Sequence, residues 1–332
     1  MKKIKLTILN IDAFQVEADV LVMKYAQQPY GMDREIVNRL VNYIPDIAAQ
    51  LPKNAQFYLE DSFQITTAPQ LLFVGVPKAR NFSYKAIREF GRNVLSSLNA
   101  QTIPTKKVAM TIHGVGFGLD EIEAFESQIA GLVDSIKEDD YPEDLEEIIF
   151  VEKSEKRAKR LESFLTSIFP DKWIPTKDTG GVEKLEEDTS ELLRAAGYDS
   201  ESKKKIFVAM PFTDEFIDVF HFGIQGAAHD AGFLCERADL EFFTGDVVQW
   251  IRDRIEKAAL VIADLTGANA NVYLEVGYAW GKNKKTILLI DKIESLKFDV
   301  RGQRCIAYKN IKELKEKLTI ELDNVVAHFD EE

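Results

Sequence analysis

Cysteine is nearly absent. The two present, Cys235 and Cys305, stand far apart and form no metal-ligand spacing. Such a pair excludes a disulfide framework and reads as buried thiols in a reducing compartment. No apolar run is long enough to span a bilayer. The opening stretch MKKIKLTILNID passes straight into a strand pattern, without the apolar block of a signal peptide. The cytoplasm is therefore the expected location, and no membrane partner is expected. Positive charge is in deficit, with 42 Lys and Arg against 55 Asp and Glu and a formal net charge of -13. An acidic surface repels phosphate backbones, which argues against a nucleic-acid partner. A small anionic nucleotide in a local pocket remains compatible with it. Histidine is scarce, and His221 and His229, on one expected helix, have no metal-site partner. They read as surface or packing residues, and no metal is expected.

What the chain does contain is a repeated alternation of strand and helix patterns. Its 332 residues are too many for one ordinary core and suit two domains. Hydrophobic residues at 45% and charged residues at 29% describe folded globular protein rather than disorder. In the first region, 4–9 alternates as a strand and 18–22 reads as a second. Residues 71–76 form a continuous apolar run, as in a strand covered on both faces. The stripe Ile87, Phe90, Gly91, Val94, Leu95 and Leu98 predicts a helix over 84–98. Strands at 107–113 and 147–151 and helices at 120–136 and 154–168 complete the region. Between 170 and 205, Pro170, Pro175, Gly180, Gly181 and Ser200 are turn material around a charged helix at 182–196. The second region restarts with strands at 206–210, 233–236, 260–264, 286–290 and 304–308. Helices at 214–231, 245–258, 271–281 and 311–329 lie between and after them. Strands alternating with helices imply mostly parallel sheets. The expected fold is α/β in two domains, 1–169 and 205–332, with a linker at 170–204.

In an open parallel sheet, ligands bind beyond the carboxyl ends of the strands. Three loops there stand out: Met210-Pro211-Phe212-Thr213-Asp214, 264–271, and 298–302. Asp264 ends a purely apolar run, so its carboxylate should emerge at the sheet edge. Asn271 is placed to cap the next helix. Glu275 lies about one turn into that helix, inside the apolar segment 272–279, where a carboxylate is costly without a purpose or a partner. The arrangement suits cleavage of an N-glycosidic bond, whose oxocarbenium-like transition state needs a carboxylate beneath the sugar carbon. Glu275 either attacks covalently or stabilises the charge while another acceptor attacks. Asp264 holds sugar hydroxyls or assists proton transfer to the base. The plainer alternatives are a glutamate complementing the helix dipole and an aspartate capping its loop through the Thr266 or Gly267 amides. Pro211, Asn271, Arg237, Asp239 and Asp246 are further substrate-binding candidates, with Asp246 equally readable as a helix cap. Arg301 either grips a phosphate bidentately or is an exposed loop arginine. Met210 and Phe212 read as core and pocket lining together.

The strand and loop Ile206-Phe207-Val208-Ala209-Met210-Pro211-Phe212, the stretch from Ala263 through Asn271-Val272-Tyr273-Leu274-Glu275-Val276-Gly277-Tyr278-Ala279, and the strand at 286–290 occur in one order. From about Lys203 to Phe329 the chain resembles the nucleoside 2-deoxyribosyltransferase-like superfamily, a flavodoxin-like relative of the Toll/interleukin-1 receptor fold, whose enzymatic members cleave NAD. The resemblance implies a doubly wound parallel sheet, a nucleophile at Glu275 and a sugar contact at Asp264. It implies hydrolysis or transfer of a base from a nucleoside, a nucleotide or NAD, NAD being one candidate substrate, with no cofactor required. The transferases often complete their site with a neighbouring subunit, so a homo-oligomer is the implied assembly.

In the first region, Asp12 follows the opening strand, and His113-Gly114-Val115-Gly116-Phe117-Gly118-Leu119-Asp120 opens a helix. A glycine-rich turn entering a helix presents free amides and suits a pyrophosphate. Glycines that serve only a tight strand-to-helix turn fit equally well. In context this region resembles a macro domain, including the macro-like fold at the front of leucyl aminopeptidases. The resemblance implies an α/β/α layered fold. It also implies an adenine contact at Asp12 and a phosphate and ribose loop at Gly114, Val115, Gly116, Phe117 and Gly118. The segment from Met23 to Gly31 stands where hydrolytic macro domains carry an asparagine-rich run, so binding or a structural role is implied rather than hydrolysis. The combined expectation is a nucleotide N-glycosidase with a nucleotide-binding or sensing domain in front, a pairing that suits a bacterial stress or antiviral effector. The rivals are a non-catalytic nucleotide-binding module for signalling or oligomerisation, and a salvage deoxyribosyltransferase.

Overall fold

The structure is a computed structural model that describes residues 3–27, 31–78, 81–101, 103–114, 118–177, 185, 187–237, 247–297, 300 and 302–329. By internal contacts the chain divides into two compact units, Met1–Val115 with Glu121–Glu201 and Gly116–Asp120 with Ser202–Glu332. Both are α/β and both are built on largely parallel sheets. Among the described residues, no helix is long and apolar enough to cross a membrane.

In chain order the first unit runs β1 (Lys3–Leu9), β2 (Val20–Tyr25), α1 (Gly31–Leu40), α2 (Ile47–Gln50), β3 (Phe57–Asp61), β4 (Gln70–Gly75) and α3 (Tyr84–Asn99). It continues β5 (Lys107–Met110), α4 (Glu121–Lys137), β6 (Glu147–Val151), α5 (Glu155–Ile168), β7 (Trp173–Pro175) and α6 (Glu187–Ala195). The strand order is β3-β4-β2-β5-β6-β1-β7, parallel inside and antiparallel at the two edges. The inner strands β2, β4, β5 and β6 each carry a continuous buried apolar run, as expected where helices cover both faces. Gly91 and Gly131 let α3 and α4 touch backbone to backbone: a Cβ on Gly131 would stand 1.9 Å from the Arg88 carbonyl oxygen.

The stretch 170–204, expected as a linker, carries β7 and α6. Ile174 is fully buried where β7 pairs with β1. The buried Arg88 binds the end of α6. Its Nη1 donates to the carbonyls of Leu193, Arg194 and Ala196, while Asp134 takes Nε and Nη2 at 2.7 and 2.9 Å. Turn-forming residues there shape the path between packed elements. Helices α1 and α2, edge strand β3 and the three-residue β7 were also not anticipated.

The second unit runs β8 (Lys205–Ala209), α7 (Asp214–Asp218), a π-helical stretch Val219–Gln225, α8 (Gly226–Asp230), β9 (Leu234–Arg237) and α9 (Val247–Lys257). It then forms β10 (Leu260–Asp264), α10 (Ala270–Gly281), β11 (Thr286–Ile290), β12 (Cys305–Ala307) and α11 (Ile311–Phe329). The helix expected over 214–231 is thus continuous but widens in its middle. The sheet is parallel throughout in the order β12-β11-β10-β8-β9. This is the flavodoxin-like doubly wound arrangement. Alternation along β8 fixes the layers. Ile206 and Val208 face a cluster with Phe216, Ile224, Leu314 and Leu318, whereas Phe207 and Ala209 face one with Ile251, Ile255, Val272 and Val276. Hence α9 and α10 cover one face, and α7, α8 and α11 the other.

Candidate active site

The strand order of the second unit reverses between β8 and β10. Beyond the carboxyl ends of such a pair lies the crevice where open α/β sheets hold ligands. Two loops flank it. Met210 and Pro211 leave β8 buried, and Phe212 emerges 41% exposed. From β10 the chain passes through a 3-10 turn, Thr266–Ala268, into α10.

Asp264 ends β10 with no exposed surface. Its Oδ1 accepts from the Thr266 amide at 3.0 Å, and its Oδ2 accepts from the Tyr308 hydroxyl at 2.6 Å. Burial pushes its pKa up, against the pull of Thr266 and Tyr308. The geometry is that of an aspartate holding its own loop. Thr266 extends the hold, because its Oγ1 accepts from the Asp291 amide at 3.0 Å. Gly267 (φ 76°) and Ala268 (φ 52°) turn the chain through left-handed conformation, and α10 starts one residue earlier than expected. The N-cap is Asn269, whose side chain accepts from the Asn271 amide. Asn271, expected as the cap, is an exposed residue of the first turn. Tyr308 was not anticipated as a site residue. It reads as the end of a strand, and it reaches Asp264 across 44 residues of chain.

Glu275 sits in the second turn of α10, between the buried Val272 and Val276 and half-buried itself. It has no hydrogen bond or ion pair among the described residues. Burial alone pushes its carboxyl up to about 7. The neighbouring carboxylates differ: Glu256 is met by Lys282 and Tyr278, and Glu236 at the end of β9 by Arg254. Arg237, next along β9, lays its guanidinium over the rings of Phe220 and Phe212, at 4.2 and 4.9 Å from their centroids. The stack holds Phe212 as an exposed aromatic surface beside the crevice. Asp239, Asp246 and Arg301 lie outside the described residues. Among the described residues, no group of His, Cys, Asp and Glu is arranged to hold a metal.

Of the candidates expected to bind a ligand in the first domain, Asp12 belongs to the first unit and Gly118 to the second. Asp12 caps the 3-10 turn Ala13–Gln15 by accepting from the Phe14 amide, and it pairs with Lys153 at 3.2 Å. The Phe14 hydrogen bond is the main cause of its lowered pKa. Gly114 and Gly118 have φ of 101° and 76°, so both turns need glycine. A Cβ on Gly118 would meet the Trp250 ring at 2.7 Å. Asp120 is enclosed in the second unit, accepting from the Cys235 amide, His229 Nε2 and Gln225 Nε2. Val115, Gly116 and Phe117 lie outside the described residues.

No protein-family model and no curated protein matches the chain. Among solved structures it is similar to the Clostridium botulinum CMP N-glycosidase BcmB, at 22% identity over 36% of this chain and 99% of that one, with a TM-score of 0.31. It is also similar to an Oceanobacillus iheyensis macrodomain solved with ADPR, at 15% identity over 49% of this chain and 93% of that one, with a TM-score of 0.40. The macrodomain of Thermus aquaticus DarG is similar at 13% identity over 44% of this chain and 97% of that one, with a TM-score of 0.33.

Proposed function

We propose that the second unit cleaves the N-glycosidic bond of a nucleoside, a nucleotide or NAD, with Glu275 as the reacting carboxylate. One observation carries this reading. At the switch point of the sheet, a half-buried carboxyl group is kept without a partner among the described residues, and burial holds its pKa near neutrality. Folding gains nothing from such a group. A reaction that develops positive charge on a sugar carbon does gain from it.

In the proposed step the bond between the sugar carbon and the base nitrogen breaks, and its electron pair leaves with the base. Glu275 in its ionised form then either bonds to the sugar carbon or stabilises the cation until water or a second base attacks. Water gives hydrolysis, and a base gives exchange. The exposed ring of Phe212, backed by Arg237, offers a stacking surface for the departing base. Asp264 has both oxygens engaged, so its part is to fix the 265–269 loop, and through the Asn269 cap the start of α10 and the place of Glu275. No cofactor is needed for this chemistry. A homo-oligomer that completes the crevice is part of the proposal.

The test is incubation with a panel of nucleosides, nucleotides and NAD, with chromatographic separation of the products, with and without an added free base. Release of base from one class, lost in Glu275→Gln, is the expected result. Absence of base release across the panel, or equal release by Glu275→Gln, removes the reading.

A further inference from the structure

The aromatic surface beside the crevice is assembled from three elements of the second unit. Phe212 stands on the loop after β8, Phe220 on the π-helical stretch, and Arg237 at the end of β9, with its guanidinium over both rings. Stretches of π-helix are rare and often stand at functional sites. A fourth piece of chain reaches two of these elements. Residues 118–120 belong to the same unit and lie along β9, the edge strand of the sheet. The Leu234 amide donates to Lys204 just before β8, so the next amide, that of Cys235, faces outward. Asp120 takes it at 2.9 Å. Two residues earlier, a Cβ on Gly118 would stand 3.0 Å from the Arg237 carbonyl oxygen. The segment thus follows β9 from Arg237 back to Cys235.

The Asp120 side chain is fully buried, and its Oδ2 collects three donors. Besides the Cys235 amide, these are Gln225 Nε2 at 3.3 Å and His229 Nε2 at 2.6 Å. With its amide nitrogen turned to Asp120, Gln225 presents Oε1 to His221 Nδ1 at 2.9 Å. Asp120 therefore joins β9, which carries Arg237, to the π-helical stretch, which carries Phe220. Of the three donors, only His229 titrates near neutrality. Its side chain is 32% exposed, so it exchanges a proton with solvent while holding Asp120. A buried carboxylate is costly without a counter-charge, and protonated His229 supplies one through a short, charge-assisted bond. The other charged groups on the elements around His229 are matched. On α8, Asp230 pairs with Lys315 of α11 at 2.8 Å, and on β9, Glu236 pairs with Arg254. Arg237 lies over its two rings. Burial, then the charge of Asp120, pushes the Cys235 thiol well above its ordinary range, so it stays protonated. His221 titrates in the same range as His229, but it reaches Asp120 through Gln225.

We propose that Asp120 and His229 form a proton-operated clasp that sets the place of Arg237, and with it the Phe212 surface. With His229 protonated, the ion pair draws α8, the π-helical stretch, β9 and residues 118–120 onto one carboxylate. With His229 neutral the hydrogen bond remains, but the buried carboxylate has lost its counter-charge and the clasp slackens. The sign follows from proton linkage. Pairing favours the protonated ring in the folded state, so the contribution of the clasp is full in mild acid and is lost as pH rises through the His229 midpoint. The stack of Arg237 on Phe212 and Phe220 is accordingly tighter in mild acid than in mild alkali. The clasp stands on its own geometry, and only its consequence for a base lying on Phe212 rests on the reading of the crevice as a glycosidic site.

The test uses the full chain carrying isotope-labelled histidine and arginine, followed by NMR from about pH 5 to about pH 8.5, the range in which histidine changes charge. The His229 ring signal is the one absent from His229→Gln. The Arg237 side-chain signal, displaced by the rings beneath it, is the one absent from Arg237→Lys. In the wild type the Arg237 signal should move with the same midpoint as the His229 ring. In His229→Gln, which keeps a donor and has no proton to lose, it should not move with pH. Asp120→Asn should weaken the hold of His229 on its proton about tenfold or more. An Arg237 signal that ignores the His229 titration overturns the proposal. So does one that titrates equally in His229→Gln, which traces it to another group such as His221, and so does an unchanged His229 midpoint in a folded Asp120→Asn. Should Asp120→Asn fail to fold, the wild type and His229→Gln decide the matter between them. Base release is read nowhere in this test, so its outcome is separate from that of Glu275.

Discussion

Replacing Glu275 with Gln should both stabilise the protein at alkaline pH and abolish its activity. The magnitude follows from the carboxyl group. Burial raises its pKa from 4.5 to about 7, and a tenfold change in proton affinity corresponds to about 1.4 kcal/mol. Together these give an upper bound of about 3 kcal/mol, and partial exposure screens it toward about 1–2 kcal/mol. The sign comes from proton linkage. Between 4.5 and about 7 the folded state holds a proton that the unfolded state has released, so folding stability falls as pH rises through that window. Above it the folded protein carries the whole penalty of a buried charge. Glutamine has the same shape and no proton to lose, so its advantage should be absent in acid, grow through the window and level off above it.

Urea unfolding of the two proteins, at about pH 4.5 and about pH 8.5, measures this difference directly, and other carboxylates cancel in the comparison. The activity arm is the rate of base release, expected to fall on the order of a hundredfold or more. A variant less stable than the wild type at the higher pH would mean that Glu275 has a structural partner and is not kept for a substrate. A difference that ignores pH would refute the linkage, and with it the assignment of this group as the one near neutrality.

If the ionised form of Glu275 reacts, log kcat/KM should rise with pH and level off above about 7; a profile that falls through that range would make it the acid instead. Tyr308→Phe leaves Asp264 Oδ2 enclosed without its donor, which should cost about 1–3 kcal/mol in urea unfolding. Asn269→Ala removes the cap of α10 and should cost about 1 kcal/mol, with Asn269→Asp restoring most of it. Gly131→Ala drives a methyl group to 1.9 Å from the Arg88 carbonyl oxygen, where only backbone can yield. Separation of α3 and α4 should lower stability by about 1–3 kcal/mol or more, read from the unfolding midpoint; an unchanged midpoint would refute the close approach.

Much of the second unit was legible because its signals are local. The apolar run of β10 ending in Asp264, and the apolar helix interrupted by Glu275, lie within a few residues of one another. What escaped was whatever depended on distant chain. Whether Asp264 faces a substrate or its own loop turns on Tyr308, which the sheet brings in across two further strands. Which asparagine caps α10 turns on two left-handed residues before it. Helix α1 buries Ile36, Val37 and Leu40 but begins with polar residues, and β3 alternates only weakly because it is an edge strand. The stretch 170–204 reads as linker by composition, yet Arg88, distant in sequence, closes it onto the first unit. Gly114 and Gly118 both take left-handed φ, so at these two positions a conformational need for glycine is present whatever else the stretch does.

Across both units the buried charges that folding uses are met. Asp264, Arg88, Glu236 and Asp120 each have their hydrogen bonds, from residues that packing places beside them. Against that background the exceptions carry information, because a fold has no reason to leave a buried polar group alone. Glu275, half-buried and without a partner among the described residues, lies on the helix that follows the strand at the switch point of its sheet, the position that strand order marks as a crevice. A carboxylate without a counter-ion suits positive charge that arises during a reaction, as the proposed loss of a base from a sugar carbon would present.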